Sequence, residues 1–582
     1  MAMKIKFKYF ACIALILFCA QTVAAPKATI TAPALNNEIT GITGDAQKNA
    51  LARLSILQKD FQNKKISAKQ AYKLLAQGET TIQEAIKPFG YFKSTVSERL
   101  TQDDNKNWLA IYHVNPGPQL HVTKLSMTVI GPGNDDKEIN ALIPTLPLKE
   151  GDAFNTNNYN LSVDKLLEQA HEEGYLKAKF DVNKIMINLN NYLCSITLTL
   201  NTGPQYYFGN ISFGSTPLSE KFLRRYVIFK PGDPFSYDIL LRFQQNLSSG
   251  GYFSSASVIP NIKKANNYRI PMEAKFQMNK RREYKFGIGY GTNTGIRGTI
   301  GYSMRWVNRY GHQFDSSLQL SQIQQYIAAQ YIIPGKNPSI SNWMFTTSFL
   351  KLTPKRGKSL TKSIGISHIR NYANWQRTLA LNYEIERYRF DENEPYKSSK
   401  LLMPSITLTY TNPRNELNVK NGQRFSLTMK GASTDVVSTA TFLQPELQYK
   451  LITTLLEGNR FIFKADYGYT IVHDLTKLPL SKRFYAGGIQ SVRGYSFKGL
   501  GPGKYLVAGS AEYQRKIVGN FYAAIFYDIG NAINHATDPL KRGAGIGTIW
   551  LSPIGDIQLY VARPLSYDGN PLRFEFSLGP DL

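Results

Sequence analysis

Several short segments contain residue types that could carry catalytic or ligand-binding chemistry, but their spacing does not suit a known site. Gly503-Lys504 is typical of a phosphate-binding loop, yet Lys498 replaces the leading Gly and Tyr505 replaces the Ser or Thr. The run Gly543–Gly547 is too short for a dinucleotide-binding fingerprint. No Gly-x-Ser-x-Gly elbow is present, and no carboxylate pair lies in a plausible cleft. Seven His lack the spacing of metal ligands: His113, His121, His171, His312, His368, His473 and His535. We therefore predict that the chain is not an enzyme and uses no cofactor or metal ion.

Aromatic residues are abundant in a chain that is polar overall. The 582 residues include 35 Tyr and 31 Phe, and the mean hydropathy is -0.29. Strands that alternate between lipid and a polar interior, with aromatic belts at both membrane surfaces, would have this composition. The net charge is +27, and most of the excess lies in the second half. There the basic residues alternate with apolar ones along strands. We therefore predict a charged lumen or contact with phosphorylated outer-leaflet lipid, including lipopolysaccharide, and no nucleic-acid partner.

The first residues have the pattern of a secretory signal peptide. The basic segment Lys4–Lys8 precedes the apolar run Phe10–Ala20, and small residues follow, with cleavage expected after Ala24. An uncleaved anchor would need about 20 apolar residues. No later run reaches that length, so membrane insertion has to use strands. After cleavage only Cys194 remains of three Cys, which excludes an intramolecular disulfide.

The first half contains three copies of one pattern. Each copy has a helical stretch that ends at a glycine and is followed by sequence with strand-like alternation. The helix ends are Gly90-Tyr91-Phe92, Gly174-Tyr175-Leu176 and Gly251-Tyr252-Phe253. Two further segments recur: Lys149–Phe154 as Lys230–Phe235, and Gly117–Gln119 as Gly203–Gln205. Each unit is therefore predicted to have the element order strand, helices, strand, strand.

The apolar spacing locates the helices of these units. Val163, Leu166, Leu167 and Ala170 share one helix face, and Leu240, Phe243 and Leu247 share another. In the first unit, Thr81–Glu84 has the form of a capping box, so we expect a helix to begin there. The pattern resembles the POTRA domain, a module of the BamA, FhaC and TamA superfamily. That resemblance implies recognition of extended chains by strand addition. The alternative is a generic α+β repeat without a partner.

From Arg282 onward the helical period is replaced by strict alternation. Apolar residues at 461, 463, 465, 467 and 469 alternate with Lys464, Asp466 and Gly468, and the pattern recurs at 572–579. A soluble sandwich is the alternative, but it explains the signal peptide and the Tyr content less well. The predicted fold is a set of α+β repeats followed by an all-β barrel of 16 antiparallel strands. The domain bounds are 1–24 for the signal peptide, 25–120, 121–204 and 205–281 for the repeats, and 282–582 for the barrel.

Two motifs in the second half resemble signatures of that superfamily. Residues 484–495 are similar to its sixth extracellular loop, and residues 526–530, Phe-Tyr-Asp-Ile-Gly, are similar to its Phe-x-Asp-x-Gly strand motif. The resemblance implies that the loop folds into the lumen and that Arg493 pairs with Asp528, with Glu512 as a second acceptor. Alternation agrees, because it places Asp528 inside. The role is structural and gating rather than catalytic. The loop residues are Gly487, Gly488, Val492, Arg493, Gly494 and Tyr495, and the wall residues are Glu512, Phe526, Asp528 and Gly530.

Three repeats and the ending Gly579-Pro580-Asp581-Leu582 resemble the TamA branch of the superfamily. This resemblance implies assembly of clients such as autotransporters or other outer-membrane proteins, with an elongated inner-membrane partner, TamB. The first and last strands would meet at a weakly paired lateral seam, where glycines permit a kink. The seam residues are Lys285, Phe286, Gly287, Ile288 and Gly289 in the first strand and Phe574, Phe576, Leu578 and Gly579 in the last. The alternatives are an FhaC-type secretion pore and a passive porin or receptor that its repeats anchor.

Overall fold

The computed structural model describes residues 35–61, 66–102, 107–292, 295–353, 357–413, 419–456, 458–552, 555–566, 569 and 571–579. The predicted signal peptide and residues 580–582 lie outside this part. The chain divides into two compact units. The first holds two α+β repeats, and the second holds a third repeat together with a large antiparallel sheet. None of the described helices combines the length and the apolarity needed to cross a membrane.

The first unit contains two repeats with the element order strand, helix, helix, strand, strand. In each repeat the first strand joins the sheet parallel to the last one, which lies in the middle. The elements of the first repeat are β1 Asn36–Thr40, α1 Gly44–Leu57, α2 Ala68–Ile86, β2 Thr95–Gln102 and β3 Trp108–Asn115. Those of the second are β4 His121–Ile130, α3 Lys137–Leu142, α4 Thr156–Glu172, β5 Lys179–Asn188 and β6 Leu193–Asn201. Cys194 is free and buried in β6, and burial raises the pKa of its thiol.

The third repeat has the same order and belongs to the second unit. Its elements are β7 Tyr207–Phe213, α5 Glu220–Leu223, α6 Tyr237–Ser249, β8 Phe253–Pro260 and β9 Arg269–Met278. The predicted apolar faces are correct: Leu166 and Ala170 are buried in α4, and Leu240, Phe243 and Leu247 are buried in α6. The predicted domain bounds at 120, 204 and 281 fall between strands, and as bounds they stay predictions.

The recurring glycines are explained by the backbone that they adopt. Gly90, Gly174 and Gly251 have φ values of 89°, 87° and 72°, in the left-handed region that glycine occupies without steric cost. At Gly174 a Cβ would also lie 2.7 Å from the Tyr206 carbonyl oxygen. The pattern recognised in the sequence is therefore a set of helix ends that need glycine.

The predicted start of a helix at Thr81 is wrong. Thr81 lies inside α2, and its hydroxyl donates to the Gln77 carbonyl at 2.7 Å. The capping box is formed instead by Ser67 and Gln70, at the true beginning of the helix. A Thr-x-x-Glu pattern occurs on exposed helix faces as well as at helix starts, so the local pattern alone did not locate the terminus.

The sheet of the second unit has 16 antiparallel strands in sequential order, as predicted. They are β10 Arg282–Gly291, β11 Gly295–Met304, β12 Gln313–Ser321, β13 Gln324–Pro334, β14 Ser341–Leu352, β15 Lys358–Tyr372, β16 Trp375–Arg389, β17 Lys397–Asn412, β18 Gly422–Ala432, β19 Phe442–Leu455, β20 Asn459–Tyr469, β23 Tyr505–Val518, β24 Phe521–Ile533, β25 Lys541–Ser552, β26 Gly555–Pro564 and β27 Arg573–Gly579. Two short strands, β21 Phe484–Ala486 and β22 Leu500–Gly503, pair with each other between β20 and β23. The sheet curves into a nearly closed barrel.

The third repeat contacts the turn between β11 and β12 within the same unit. The Tyr252 hydroxyl donates to the Gly311 carbonyl at 2.5 Å, and the Ser219 amide donates to the Arg309 carbonyl at 2.8 Å. The Arg225 guanidinium donates to the carbonyl of Pro334, the last residue of β13, at 2.7 Å, and also to the carbonyl of Gly335 in the turn that follows. The repeat is therefore bonded to the first two turns at its end of the barrel.

We expect Ser67→Ala to loosen the start of α2, because the side-chain cap of the first turn is lost. The loss corresponds to about 1 kcal/mol, or about fivefold faster amide exchange by local opening. Hydrogen exchange measured on the full chain for the first turn of α2 tests this. Ser55→Ala, an exposed serine in α1, is the matched control. Equal exchange in both variants would contradict the capping assignment.

Candidate functional site: a loop fastened to the barrel wall

The loop that joins β20 to β23 leaves the barrel at the end away from the third repeat. Its middle, residues 487–499, lies between the paired strands β21 and β22. Gly487, Gly488 and Gly494 have φ values of 98°, 96° and 91°, and the Gly488 amide donates to the Tyr495 carbonyl at 2.9 Å. The glycines of the predicted loop motif therefore form the turns that bring Arg493 against the inner wall.

Arg493 and Asp528 form a bidentate ion pair. The Arg493 Nε and Nη2 each donate to one oxygen of the Asp528 carboxylate at 2.8 Å, and the backbone amide of Arg493 donates to it at 2.9 Å. Arg493 is 3% exposed and Asp528 is fully buried. On β24 the neighbours Ile525 and Tyr527 are exposed, so Asp528 points inward, as alternation indicated. The planar fork of arginine suits this geometry, and a lysine could make only a single-point contact.

Glu512 on β23 is the second acceptor. Arg493 Nη1 donates to its Oε2, and the Tyr560 hydroxyl donates to its Oε1 at 2.8 Å. Arg493 Nη2 also donates to the Ser510 hydroxyl at 2.9 Å. The guanidinium lies over the ring of Phe526, with its carbon 3.5 Å from the ring centroid. Four hydrogen bonds and an aromatic face thus surround the buried guanidinium.

The loop tip also contacts the last strand of the barrel. The Gly494 amide donates to the Glu575 Oε1 at 2.8 Å, and Glu575 is buried on β27. A Cβ at Gly494 would lie 2.9 Å from the Pro564 nitrogen, so the backbone approaches β26 as closely as glycine allows. Neither Glu575 nor Tyr560 was predicted from the sequence. The alternation of β27 placed Glu575 on the inner face, but no sequence signal connects it to a loop some 80 residues away.

The remaining wall residue of the motif, Gly530, lies where two strands approach closely. A Cβ there would meet the Val507 carbonyl oxygen at 2.6 Å. Val492 is fully buried and packs with Ala486 and Tyr495. The structure thus brings the other predicted loop and wall residues around the Arg493 side chain or into the turns that carry it, and Gly530 lies at the contact between β24 and β23.

A second attachment holds the beginning of the loop. Ser481 donates through its amide at 3.2 Å and through its hydroxyl to the Glu386 carboxylate on β16. The neighbouring Lys482 pairs with Glu384 at 2.5 Å. Gln444 on β19 donates to the Lys482 carbonyl at 2.9 Å. These residues were also missed, because each partner lies on a distant strand.

The predicted seam residues lie on the two end strands of the sheet. β10 pairs with β11 over all ten residues without a register shift, and β27 pairs with β26. Among the described residues no ladder joins β10 to β27. The rings of Tyr290 and Phe576 lie 6.4 Å apart across the gap. Phe286 is 77% exposed, against 45% for Phe345 in the middle of the sheet, because a neighbouring strand is missing on one side.

The other predicted seam residues complete the two edges. Ile288 and Phe574 are exposed, Leu578 is half-buried, and Lys285 lies 3.8 Å from Glu283 on its own strand. Gly287 and Gly289 pair regularly with Thr299 and Arg297, so the glycines do not interrupt the ladder. No group of three His, Cys, Asp or Glu in the described part of the chain is arranged to hold a metal ion.

The barrel and the loop define a class of membrane protein, and comparison with known families identifies it. Residues 283–581 match the Omp85 superfamily domain. Residues 36–116 match the model described as POTRA domain TamA domain 1, and residues 206–273 match a POTRA model described as a surface antigen variable number repeat. The chain therefore belongs to the Omp85 superfamily, with its barrel in the outer membrane and its N-terminal repeats in the periplasm.

Individual relatives are distant. The outer membrane protein assembly factor BamA of Nitratidesulfovibrio vulgaris is 21% identical over 547 residues, which cover 84% of this chain and 66% of that protein. Outer envelope protein 80, chloroplastic, of Arabidopsis thaliana is 32% identical over 132 residues, which cover 21% of this chain and 17% of that protein. The chain thus spans just under two thirds of the bacterial relative and about a sixth of the plant one. The crystal structure of BamA from Haemophilus ducreyi lacking POTRA domains 1–3 has a TM-score of 0.64 at 18% identity, covers 79% of this chain and is itself covered to 99%. That likeness concerns the fold.

We expect Arg493→Ala to release the loop while the barrel still folds, because the strand ladders remain. Removing one partner of a buried ion pair destabilises by about 3–5 kcal/mol, since the other charge stays buried and unpaired. A cysteine introduced at the buried Val492 should then react with a thiol reagent, and the heat-induced electrophoretic shift should occur at a lower temperature. Arg493→Lys should also expose the cysteine and lower the temperature of the electrophoretic shift, but by less than Arg493→Ala does. Adding Asp528→Asn to Arg493→Ala should restore part of the stability, and Arg515→Ala, at an exposed site, is the control. An unreactive cysteine in the Arg493→Ala background would contradict the assignment.

We expect Glu575→Ala to loosen β27 selectively, because the buried Gly494 amide loses its acceptor. An unsatisfied buried donor costs about 1–3 kcal/mol. Amide hydrogen exchange of β27 should increase, while that of β24 stays unchanged. The matched control is Glu446→Ala, whose partner Lys430 lies 2.7 Å away in the middle of the sheet. Equal exchange of β27 in the two variants would show that the loop does not hold that strand.

Proposed function

We propose that the chain is the outer-membrane component of a TamA-type translocation and assembly module. It inserts β-barrel clients such as autotransporters, or secretes them, through the seam between β10 and β27. It acts without catalytic chemistry, cofactor or metal ion. The observation that carries the proposal is a sixteen-stranded sheet whose end strands share no ladder among the described residues, with the loop tip bonded to one of them.

The seam offers a physical route for insertion. A strand in lipid must satisfy its backbone hydrogen bonds within protein, so an isolated client strand pays a high free-energy cost on entering the membrane. The free edge of β10 supplies unpaired amides and carbonyls to an incoming strand, which pairs by strand addition. The contact between Tyr290 and Phe576 involves side chains alone, and opening it breaks no backbone ladder.

The loop gives one end strand a fixed position. The Gly494 amide bonds Glu575 on β27, while Arg493 in the same tip is bonded to β23 and β24. The described part of β10 has no bond to the loop, and its ladder runs to β11 alone. We therefore infer that β27 stays in place and that β10 moves when a client strand enters.

The TamA branch is favoured by the first repeat. Its match to a TamA-type POTRA model covers residues 36–116, the whole described first repeat. No nucleotide is available outside the inner membrane, so the folding free energy of the client or an inner-membrane partner has to drive the process. By this assignment the partner is an elongated TamB-like protein. A neighbouring gene for a very large strand-rich protein with one N-terminal anchor would support it.

A disulfide across the seam tests the proposal. Tyr290→Cys with Phe576→Cys, oxidised to close the seam, should reduce client assembly to background, and a reductant should restore it. The control, Phe345→Cys with Ile366→Cys, joins two residues that are already paired across the β14–β15 ladder, away from the seam, and should leave assembly unchanged. Client assembly is measured in cells by protease protection and surface exposure of an autotransporter.

Three results would contradict the proposal. Normal assembly with the closed seam would exclude lateral insertion. If client assembly is unchanged and the crosslink also leaves small-solute uptake through the protein unchanged, a passive porin is favoured. Secretion of one soluble substrate with the seam closed would favour an FhaC-type pore.

A further inference from the structure

Four cationic side chains form a contiguous group on the outer, lipid-facing surface of the barrel. They lie at the extracellular ends of β14 to β17, and all four are exposed: Lys351, Lys362, Arg387 and Lys400. Their direction follows from the loop contacts. Glu384 points into the lumen because its carboxylate binds Lys482 of the loop. The register pairs Lys362 with Ile385, the neighbour of Glu384, so Lys362 points outward.

The strand register makes these cations neighbours. Lys362 is opposite Ile385, and Ile385 is opposite Lys400. Arg387 lies two residues beyond Ile385, and Lys351 lies two residues beyond Phe349, which is opposite Lys362. Successive members are diagonal pairs on adjacent strands, and such pairs have Cα atoms about 7–8 Å apart. Long cationic side chains can therefore converge on one anionic group.

Within the described residues none of the four has a carboxylate partner within 4.0 Å. The adjacent loop carries acids, but Glu392 is already paired with Lys358 at 2.7 Å. Arg387 packs on the Tyr396 ring, 4.7 Å from its centroid. A cation on the lipid face is unfavourable by about 2–4 kcal/mol at the bilayer midplane and by far less near the surface. Four such cationic side chains together at the extracellular rim indicate a surface that binds anionic groups.

An apolar groove lies directly below this group on the same face. Its volume is about 600 Å³, and Lys362 lies at its margin. The floor is made by small residues in one register row, Ser316, Ala329 and Thr347, and the walls by larger ones such as Ile327, Phe349 and Tyr383. The volume and the apolar lining of this groove suit an acyl chain.

We propose that this surface binds one phosphorylated glycolipid of the outer leaflet, of the lipid A type. Its phosphates contact the four cations, and an acyl chain occupies the groove. The cluster is at the extracellular end, so the ligand comes from the outer leaflet. The separation of the cations over four strands suits a headgroup with two phosphates better than one with a single phosphate. This site is on the opposite side of the wall from the loop and does not depend on the proposed assembly function.

Native mass spectrometry of the full-length protein in detergent, titrated with bis-phosphorylated lipid A, tests the proposal. The double variant Lys362→Gln with Arg387→Gln should bind about 30-fold more weakly, because two phosphate contacts are removed. The matched control, Arg515→Gln with Lys516→Gln, removes two exposed charges at the periplasmic end of β23 and should bind as the unchanged protein does. Ala329→Phe fills the groove without changing charge and should weaken binding about tenfold. The heat-induced electrophoretic shift checks that every variant folds.

Three outcomes would overturn the assignment. The first is undiminished lipid A binding by the Lys362→Gln, Arg387→Gln variant. The second is equal binding of chemically dephosphorylated lipid A. The third is phosphatidylglycerol binding as tightly as lipid A with the same sensitivity to both substitutions, which would identify an anionic phospholipid instead.

Discussion

A single buried guanidinium organises the last third of the barrel. Arg493 enters from a loop, yet its partners are on β23 and β24, and the next residue bonds β27. Removing the guanidinium would leave the carboxylates of Asp528 and Glu512 buried without their cation, and such an unpaired buried charge is far more costly than an exposed ion pair is favourable. The loop is therefore a structural element of the wall. Its glycines adopt the turns that place the Arg493 guanidinium against the inner wall, a position that no described residue of the strands occupies.

The polar contacts continue from this site toward the periplasmic end. Gln514 donates to Glu512 at 2.6 Å and accepts from Arg460 at 2.9 Å. Arg460 in turn donates to the Val419 carbonyl in the turn before β18 at 2.9 Å. A chain of buried hydrogen bonds thus runs along β20 and β23. Within such a chain each bond polarises the next, and the loss of one member affects the others.

The sequence allowed much of this to be predicted, and the site residues that it missed have a common cause. Alternation placed Asp528 inside, and the strand count followed from residue spacing, because both depend on neighbours along the chain. Glu575 and Glu386 were missed since their partners lie 81 and 95 residues away, and the relevant distance is set by the register of many strands. The misplaced helix start at Thr81 has a different origin. The pattern Thr-x-x-Glu occurs both on exposed helix faces and at helix starts, so these four residues alone cannot locate the terminus.

The hydrogen bonds between the third repeat and the barrel couple a tilt of the repeat to the first strands of the barrel. Tyr252 and Ser219 are bonded to the turn between β11 and β12, one strand away from the free edge of β10. The guanidinium of Arg281, immediately before β10, donates to the Trp306 carbonyl in that same turn at 2.9 Å. Tilting the repeat must either break these bonds or carry the turn along with it. A force on the third repeat is consequently transmitted to the turn beside β10, and the stiffness of these hydrogen bonds sets how much of the force reaches the first strands of the barrel.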